Sequence, residues 1–106
     1  MFFSVIKLNN AVECLPGFCL GENGEDVNHG YVHLPGDFTE HECLTKCKKT
    51  RGEVGHQMKA CEWKSNMDCI YHTLPVKKAN DNPEYTCCIF NGGKFIFIFL
   101  LKPQII

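Results

Sequence analysis

The chain has 106 residues, a formal net charge of −1 from 11 basic and 12 acidic side chains, 44% hydrophobic residues and 8 cysteines. That length fits one compact domain; the apolar content excludes a disordered tail, and the near-neutral balance excludes a global field for nucleic acid or an anionic membrane. So small a domain buries only about two-thirds of the surface its unfolded chain exposes, and a high cysteine content is the natural compensation.

The first residues, MFFSVI, form too short an apolar run for a secretory leader, which needs about 7 to 15 apolar residues, and Lys7 interrupts them. Read beside eight cysteines, this start leads us to expect a fragment or an incomplete gene model of a longer extracellular protein. The alternative is a cytosolic chain with reduced thiols.

Between Cys19 and Tyr31 the sequence LGENGEDVNHG is loop-like, with Gly21, Gly24 and Gly30. Its oxygen donors, Glu22, Asn23, Glu25, Asp26 and Asn28, raise weak calcium binding as a reading. The EF-hand spacing fails, because no glycine stands sixth from Asp26, so a solvated acidic loop is expected. Residues 31–34 (YVHL) form a short strand candidate before the Pro35–Gly36 turn.

The clearest local signal is a helix after Thr39. Thr39 and Glu42 have capping-box spacing, Glu40 and Glu42 suit the positive end of the helix dipole, and Lys46, Lys48, Lys49 and Arg51 suit its negative end. The helix is predicted over about residues 40–50, with Gly52 as its terminator. Cys43, Leu44 and Cys47 then share one face and point into the core.

From Ala60 the period changes to two. Cys61 and Trp63 point one way and Glu62 and Lys64 the other, residues 65–68 break the run, and residues 69–73 return as the second arm of a hairpin. Residues 77–83 (KKANDNP) read as a polar loop carrying Lys77 and Lys78, and residues 85–90 (YTCCIF) as a strand. Finally FIFIFLL, residues 95–101, is too short to cross a bilayer and lacks the spacer of a lipid-anchor signal after Asn91, Gly92 and Gly93. It is an aggregation hazard if exposed. Either it packs as an extra strand, or it is foreign to the module.

The cysteines, Cys14, Cys19, Cys43, Cys47, Cys61, Cys69, Cys87 and Cys88, are even in number and spread along the chain, which favours a disulfide framework. The rival is a zinc module drawing on five histidines, but only the CxxxC at 43 and 47 approaches a ligand pair. Two cysteines on a helix face and two on a hairpin can cross-link helix to sheet. Cys87 and Cys88 face opposite sides of their strand, so one closes the core against the N-terminal segment while the other pairs on the outer side or stays free.

The stretches ECLTKC (42–47), ACEWKSNMDCIYHT (60–73) and YTCCIF (85–90), in that order, resemble the PAN/apple domain family. They are also similar to a cysteine-rich extracellular module of marine invertebrates. The similarity covers roughly residues 17–90. It implies a helix cradled on an antiparallel sheet, nested bridges Cys43–Cys69 and Cys47–Cys61, and a third bridge, here Cys19–Cys87, from the N-terminal segment to the last strand. Cys88 stands where similar modules often have tryptophan, and counting then leaves it for Cys14. Bridges of this span contribute roughly 3 kcal/mol each in the chain-entropy model.

Catalytic chemistry is not expected. His72 lies near Cys69, but a bridged Cys69 offers no thiolate, and His72 reads as a structural sheet residue. Trp63 reads as a core anchor, and the basic run 46–51 as a helix terminus more than a polyanion patch. There is no phosphate-binding glycine loop. The expected protein is an α+β, small disulfide-rich domain, one helix packed on an antiparallel sheet. Residues 14–90 form the module, and 1–13 and 91–106 are ends of uncertain structure. It is expected to act as a secreted, non-catalytic binding or adhesion module without metal or cofactor, recognising an extracellular protein or glycan through its loops and exposed sheet face. The candidate residues are Glu22, Asn23, Glu25, Asp26 and Asn28 in one loop, with Lys77 and Lys78 in a second. No nucleic acid and no membrane span are expected. The competing classes are a free-standing secreted effector, such as a toxin or protease inhibitor, and a zinc-binding intracellular interaction domain.

Overall fold

A computed structural model describes residues 2–8, 12–90 and 94–100, with side chains for 12–90. In chain order these are β1 (Phe2–Leu8), β2 (Val12–Pro16), β3 (Cys19–Leu20), β4 (Val32–Leu34), α1 (Glu40–Val54), a 3-10 turn (Gly55–Gln57), β5 (Ala60–Lys64), β6 (Cys69–His72), β7 (Lys78–Ala79), β8 (Tyr85–Phe90) and β9 (Lys94–Leu100). The centre is a five-stranded antiparallel sheet in the order β2-β8-β5-β6-β4, with α1 against β5. The fold is therefore the disulfide-rich α+β arrangement that the pattern of elements implies.

α1 starts where its cap requires. The Thr39 hydroxyl accepts from the Glu42 N–H at 3.2 Å, and the Glu42 carboxylate accepts from the Thr39 N–H at 3.0 Å. The Thr39 backbone N–H first, and the Thr39 side chain beside it second, hold the exposed Glu42 carboxyl below its ordinary pKa. The helix does not stop at Gly52. It runs one turn further and ends at Gly55, whose φ of 67° supplies the left-handed turn, while Gly52 sits inside the helix with open space around it. An exposed helical glycine costs only about 1 kcal/mol, which continued hydrogen bonding offsets.

The two faces of the sheet carry different clusters. Toward α1, Cys61, Cys69, Tyr71, Cys88 and Phe90 pack with Cys43, Cys47, Leu34 and Met58, and Trp63 closes the edge while its Nε1 donates to the Phe38 carbonyl at 2.7 Å. On the opposite face, Ala60 and Cys87 pack with Cys19, Val27 and Val76. Glu62 and His72 are buried there as well. The middle of the second face is thus covered by the segment between β2 and β4 and is not an exposed sheet surface. Alternation alone placed these residues opposite Cys61, but it says nothing about what lies over them.

The pairing of β1 with β9 runs from Phe2↔Leu100 to Leu8↔Lys94, and that of β2 with β8 from Val12↔Phe90 to Pro16↔Thr86. Paired residue numbers follow the same offset in both ladders, so one register is common to both. The apolar run starting at Phe95 is a strand as far as Leu100, and its partner is the other apolar end of the chain. The expectations for residues 1, 9–11, 91–93 and 101–106, including the anchor reading at Asn91, Gly92 and Gly93, lie outside the described residues. No helix among the described residues is long and apolar enough to cross a membrane.

Candidate functional site

All eight cysteines are bridged: Cys14–Cys88, Cys19–Cys87, Cys43–Cys69 and Cys47–Cys61. The last three are the pairs that the PAN/apple resemblance implies, and the first is the pair left by counting. Cys43 and Cys47, one helical turn apart, bind two different strands, so both the position and the rotation of α1 are fixed. Their four sulfurs gather within 4.8 Å of one another, a grouping that in thiol form has the composition of a metal site. Here the sulfurs are joined pairwise, and none is a thiolate.

The second face is organised by a buried polar pair. Glu62 Oε1 lies 3.0 Å from His72 Nε2 and accepts from the Cys19 N–H at 2.8 Å, while His72 Nδ1 stands 3.3 Å from the Val27 carbonyl. Whichever ring nitrogen carries the proton, an acceptor faces it. A polar group in a dry interior is costly unless satisfied, so this pair locates the covering segment at two points, Cys19 and Val27. The Cys19–Cys87 bridge adds a covalent third.

This scaffold brings the two predicted loops side by side. Leu20 pairs with Lys78 in the β3–β7 ladder, its carbonyl accepts from the Lys77 N–H at 2.9 Å, and it also bridges to Asp26. Asn80 Oδ1 accepts from the N–H groups of Phe18 and Asn82, and the Asp81 N–H donates to the Pro16 carbonyl at 3.0 Å. Gly17, with φ of 119°, permits this approach, because a Cβ there would strike Asn80 and Asp81. The loop expected over residues 77–83 therefore contains a short strand. Glu22, Asn23, Glu25, Asp26, Asn28, Lys77 and Lys78 are all exposed. Two of the three acids serve their own turns: Glu25 Oε1 accepts from the Asn23 N–H at 2.8 Å, and Asp26 Oδ1 from the Asn28 N–H at 2.7 Å.

Beside these loops opens a cleft of about 380 Å³, to which Asn28 contributes. Its aromatic walls are Tyr31, 49% exposed, and Tyr85, and its ionisable groups come from Lys64, Asp68, His33 and, at its base, the largely buried Glu62. Lys64 and Tyr85 are cross-strand neighbours, with Nζ 5.5 Å from the ring centroid, and Phe18 packs edge-on against the same ring at 5.4 Å. Those contacts hold Tyr85 in one orientation. His33 Nε2 and Asp68 Oδ1 stand 3.6 Å apart at the rim. Of the seven residues proposed from sequence, the cleft takes only Asn28. Lys77 lines a different basin, and the remaining five border neither. Lys64 and Glu62, which also lines the cleft, were detectable as the non-cysteine side of β5; Tyr85, on the Cys87 side of β8, and Tyr31 and Asp68 carried no such signal.

No protein-family model, curated protein or solved structure matches this chain.

Proposed function

We propose that this protein is an extracellular, non-catalytic binding module, related in plan to PAN/apple domains, that takes a saccharide in the Tyr31–Tyr85 cleft. The observation that carries the reading is the convergence of two tyrosine rings with amide, carboxylate and ammonium groups on one open cleft, over a sheet stapled by four bridges. Tyrosine offers an apolar face to the C–H side of a sugar ring and a hydroxyl to its edge, and the surrounding polar groups match sugar hydroxyls. A cleft of this size lies in the range of small-ligand sites. Its Tyr85 wall is held by Phe18 and Lys64, which lowers the entropy cost of binding there. Four bridges support an oxidising compartment. With every cysteine bridged and His72 buried against Glu62, a thiol nucleophile with a histidine base has no residues to draw on.

The test is a glycan array probed with the oxidised protein and with Tyr31→Ala. Binding to a defined glycan that falls about tenfold or more in the variant supports the reading, in line with loss of an aromatic contact. Glycan binding unaffected by Tyr31→Ala, or capture of an extracellular protein in place of any glycan, overturns it.

A further inference from the structure

Glu62 reaches the tyrosine cleft from below. It is 6% exposed, and it lines the base of the cleft beside Ile70, its cross-strand neighbour. The two oxygens of its carboxylate are used unequally. Oε1 takes both interior contacts, with His72 Nε2 at 3.0 Å and with the Cys19 N–H at 2.8 Å. Oε2 has no hydrogen-bond partner among the described residues, and it is not sealed in the interior. One oxygen therefore anchors the covering segment, and the other is left to the cleft. A carboxylate oxygen held in so dry a place is costly while no donor meets it, so this position calls for a donor on the ligand.

The charges around that oxygen narrow the choice of donor. Asp68 brings a second carboxylate from the turn between β5 and β6, where its carbonyl accepts from the Lys64 N–H at 3.0 Å. Lys64 is the one lysine or arginine of the lining among the described residues. Its Nζ stands over the Tyr85 ring and forms no ion pair with either carboxylate there. His33 lies beside Asp68 at the rim, and His72 lies behind Glu62 on the Oε1 side. Counting histidine as neutral, the lining carries two negative groups against one positive. Such a cleft favours a cationic donor, because a donor and an acceptor that are both charged make the stronger hydrogen bond.

We propose that the saccharide of this cleft is an amino sugar, a hexose ring whose amino group is free and protonated. The inference rests on the saccharide reading above and specifies its ligand. The ammonium meets Glu62 Oε2 at the base, in the field of Asp68, while the C–H face of the ring lies on the half-exposed Tyr31 and Lys64 keeps its place over Tyr85. The other sugar classes fit less well. An N-acetylated sugar keeps an N–H donor but loses the charge, a neutral hexose brings hydroxyls alone, and a uronic acid adds a third negative group.

The test is amide chemical-shift titration of the oxidised full chain, below the pKa of the sugar amine, with four probes: a glucosamine disaccharide, its di-N-acetyl counterpart, the glucose disaccharide of the same linkage, and ethanolamine. The expected result is movement of the Tyr31, Glu62, Lys64 and Tyr85 amides with the glucosamine disaccharide, at an affinity about tenfold or more above that of the other three. Glu62→Gln, which keeps an acceptor for the Cys19 N–H, should lose about tenfold or more; Asp68→Asn, at an exposed position, should lose about threefold, and Glu53→Gln on α1 should bind as the parent does. The acetylated probe removes the same charge from the ligand's side, so the comparison stands whatever the stability of Glu62→Gln. Acetylated or glucose disaccharide binding as tightly as the amine overturns this inference and leaves the saccharide reading in place, whereas no binding of any disaccharide overturns both. Ethanolamine binding as tightly as the amino sugar also overturns it, since the ring then contributes nothing. So does parent affinity in Glu62→Gln with its spectrum intact.

Discussion

Glu62 and His72 meet at 3.0 Å between β5 and β6, and each also binds the backbone of the segment laid over them, Glu62 at Cys19 and His72 at Val27. Glu62 satisfies the buried Cys19 N–H, and the His72 ring proton finds an acceptor in Glu62 or Val27, so removing Glu62 leaves the Cys19 N–H without its partner. Glu62→Ala is expected to lower unfolding free energy by about 1–3 kcal/mol, whereas Glu62→Gln, which keeps an acceptor for the Cys19 N–H, should cost less. Denaturant unfolding with the bridges intact measures both. Parent-like stability of Glu62→Ala would show that the pair does not hold the covering segment.

The bridges differ in access. Cys14 is exposed, while the cysteines of the other three bridges are at most 2% exposed. Since thiol–disulfide exchange needs approach of an attacking thiolate, mild reductant with alkylation should label Cys14 and Cys88 first. Non-reduced peptide mapping by mass spectrometry checks the pairing in the same experiment. Early labelling of Cys43 or Cys47, or bridges joining Cys43 to Cys47 or Cys61 to Cys69, would contradict the structure.

Acid should act on the start of α1. The Glu42 carboxyl is held below its ordinary pKa by the Thr39 N–H and side chain, so its stabilising contribution is complete above that ordinary value and is lost as pH falls through the lowered one. Glu42→Ala should accordingly lower Tm at neutral pH, by an amount that shrinks on acidification. Thr39→Ala should cost about 1 kcal/mol through loss of the cap. A Tm difference for Glu42→Ala that grows as pH falls would be the wrong sign.

Gly17 marks the close approach of the two loop regions. With φ of 119° and Asn80 and Asp81 in the space of any Cβ, Gly17→Ala must displace the 80–82 turn. A loss of about 1–2 kcal/mol is expected, with amide shifts at Asn80 and Asp81 and across the β3–β7 ladder. A variant with unshifted Asn80 and Asp81 amides would show that the approach is looser than the structure has it.

The local elements were legible because their signals are local. Thr39 with Glu42 specifies where α1 begins, the alternation at Cys61 and Trp63 specifies β5, and Tyr85 to Phe90 is a strand by composition. The end of α1 was misplaced because a glycine in the last turn and a glycine beyond it look alike in sequence. Gly55 wins because the chain must reverse there to reach β5. The sites were less legible for a different reason. Tyr31 and Tyr85 are brought together by the order of strands in the sheet, and no periodicity within one segment encodes a meeting between segments. The loop residues Glu22 and Asp26 attracted notice by their charge.

Cys87 and Cys88 leave β8 toward opposite faces, one to Cys19 over the polar pair and the other to Cys14 across the neighbouring strand. A one-residue slip of β8 would exchange the faces of both sulfurs at once, setting each out of reach of its partner. A slipped strand sets Cys88 in the place of Cys87, or Cys87 in that of Cys88, so that one sulfur meets Cys19 or Cys14 and the other meets no cysteine; closure of both bonds therefore requires the native phase of β8.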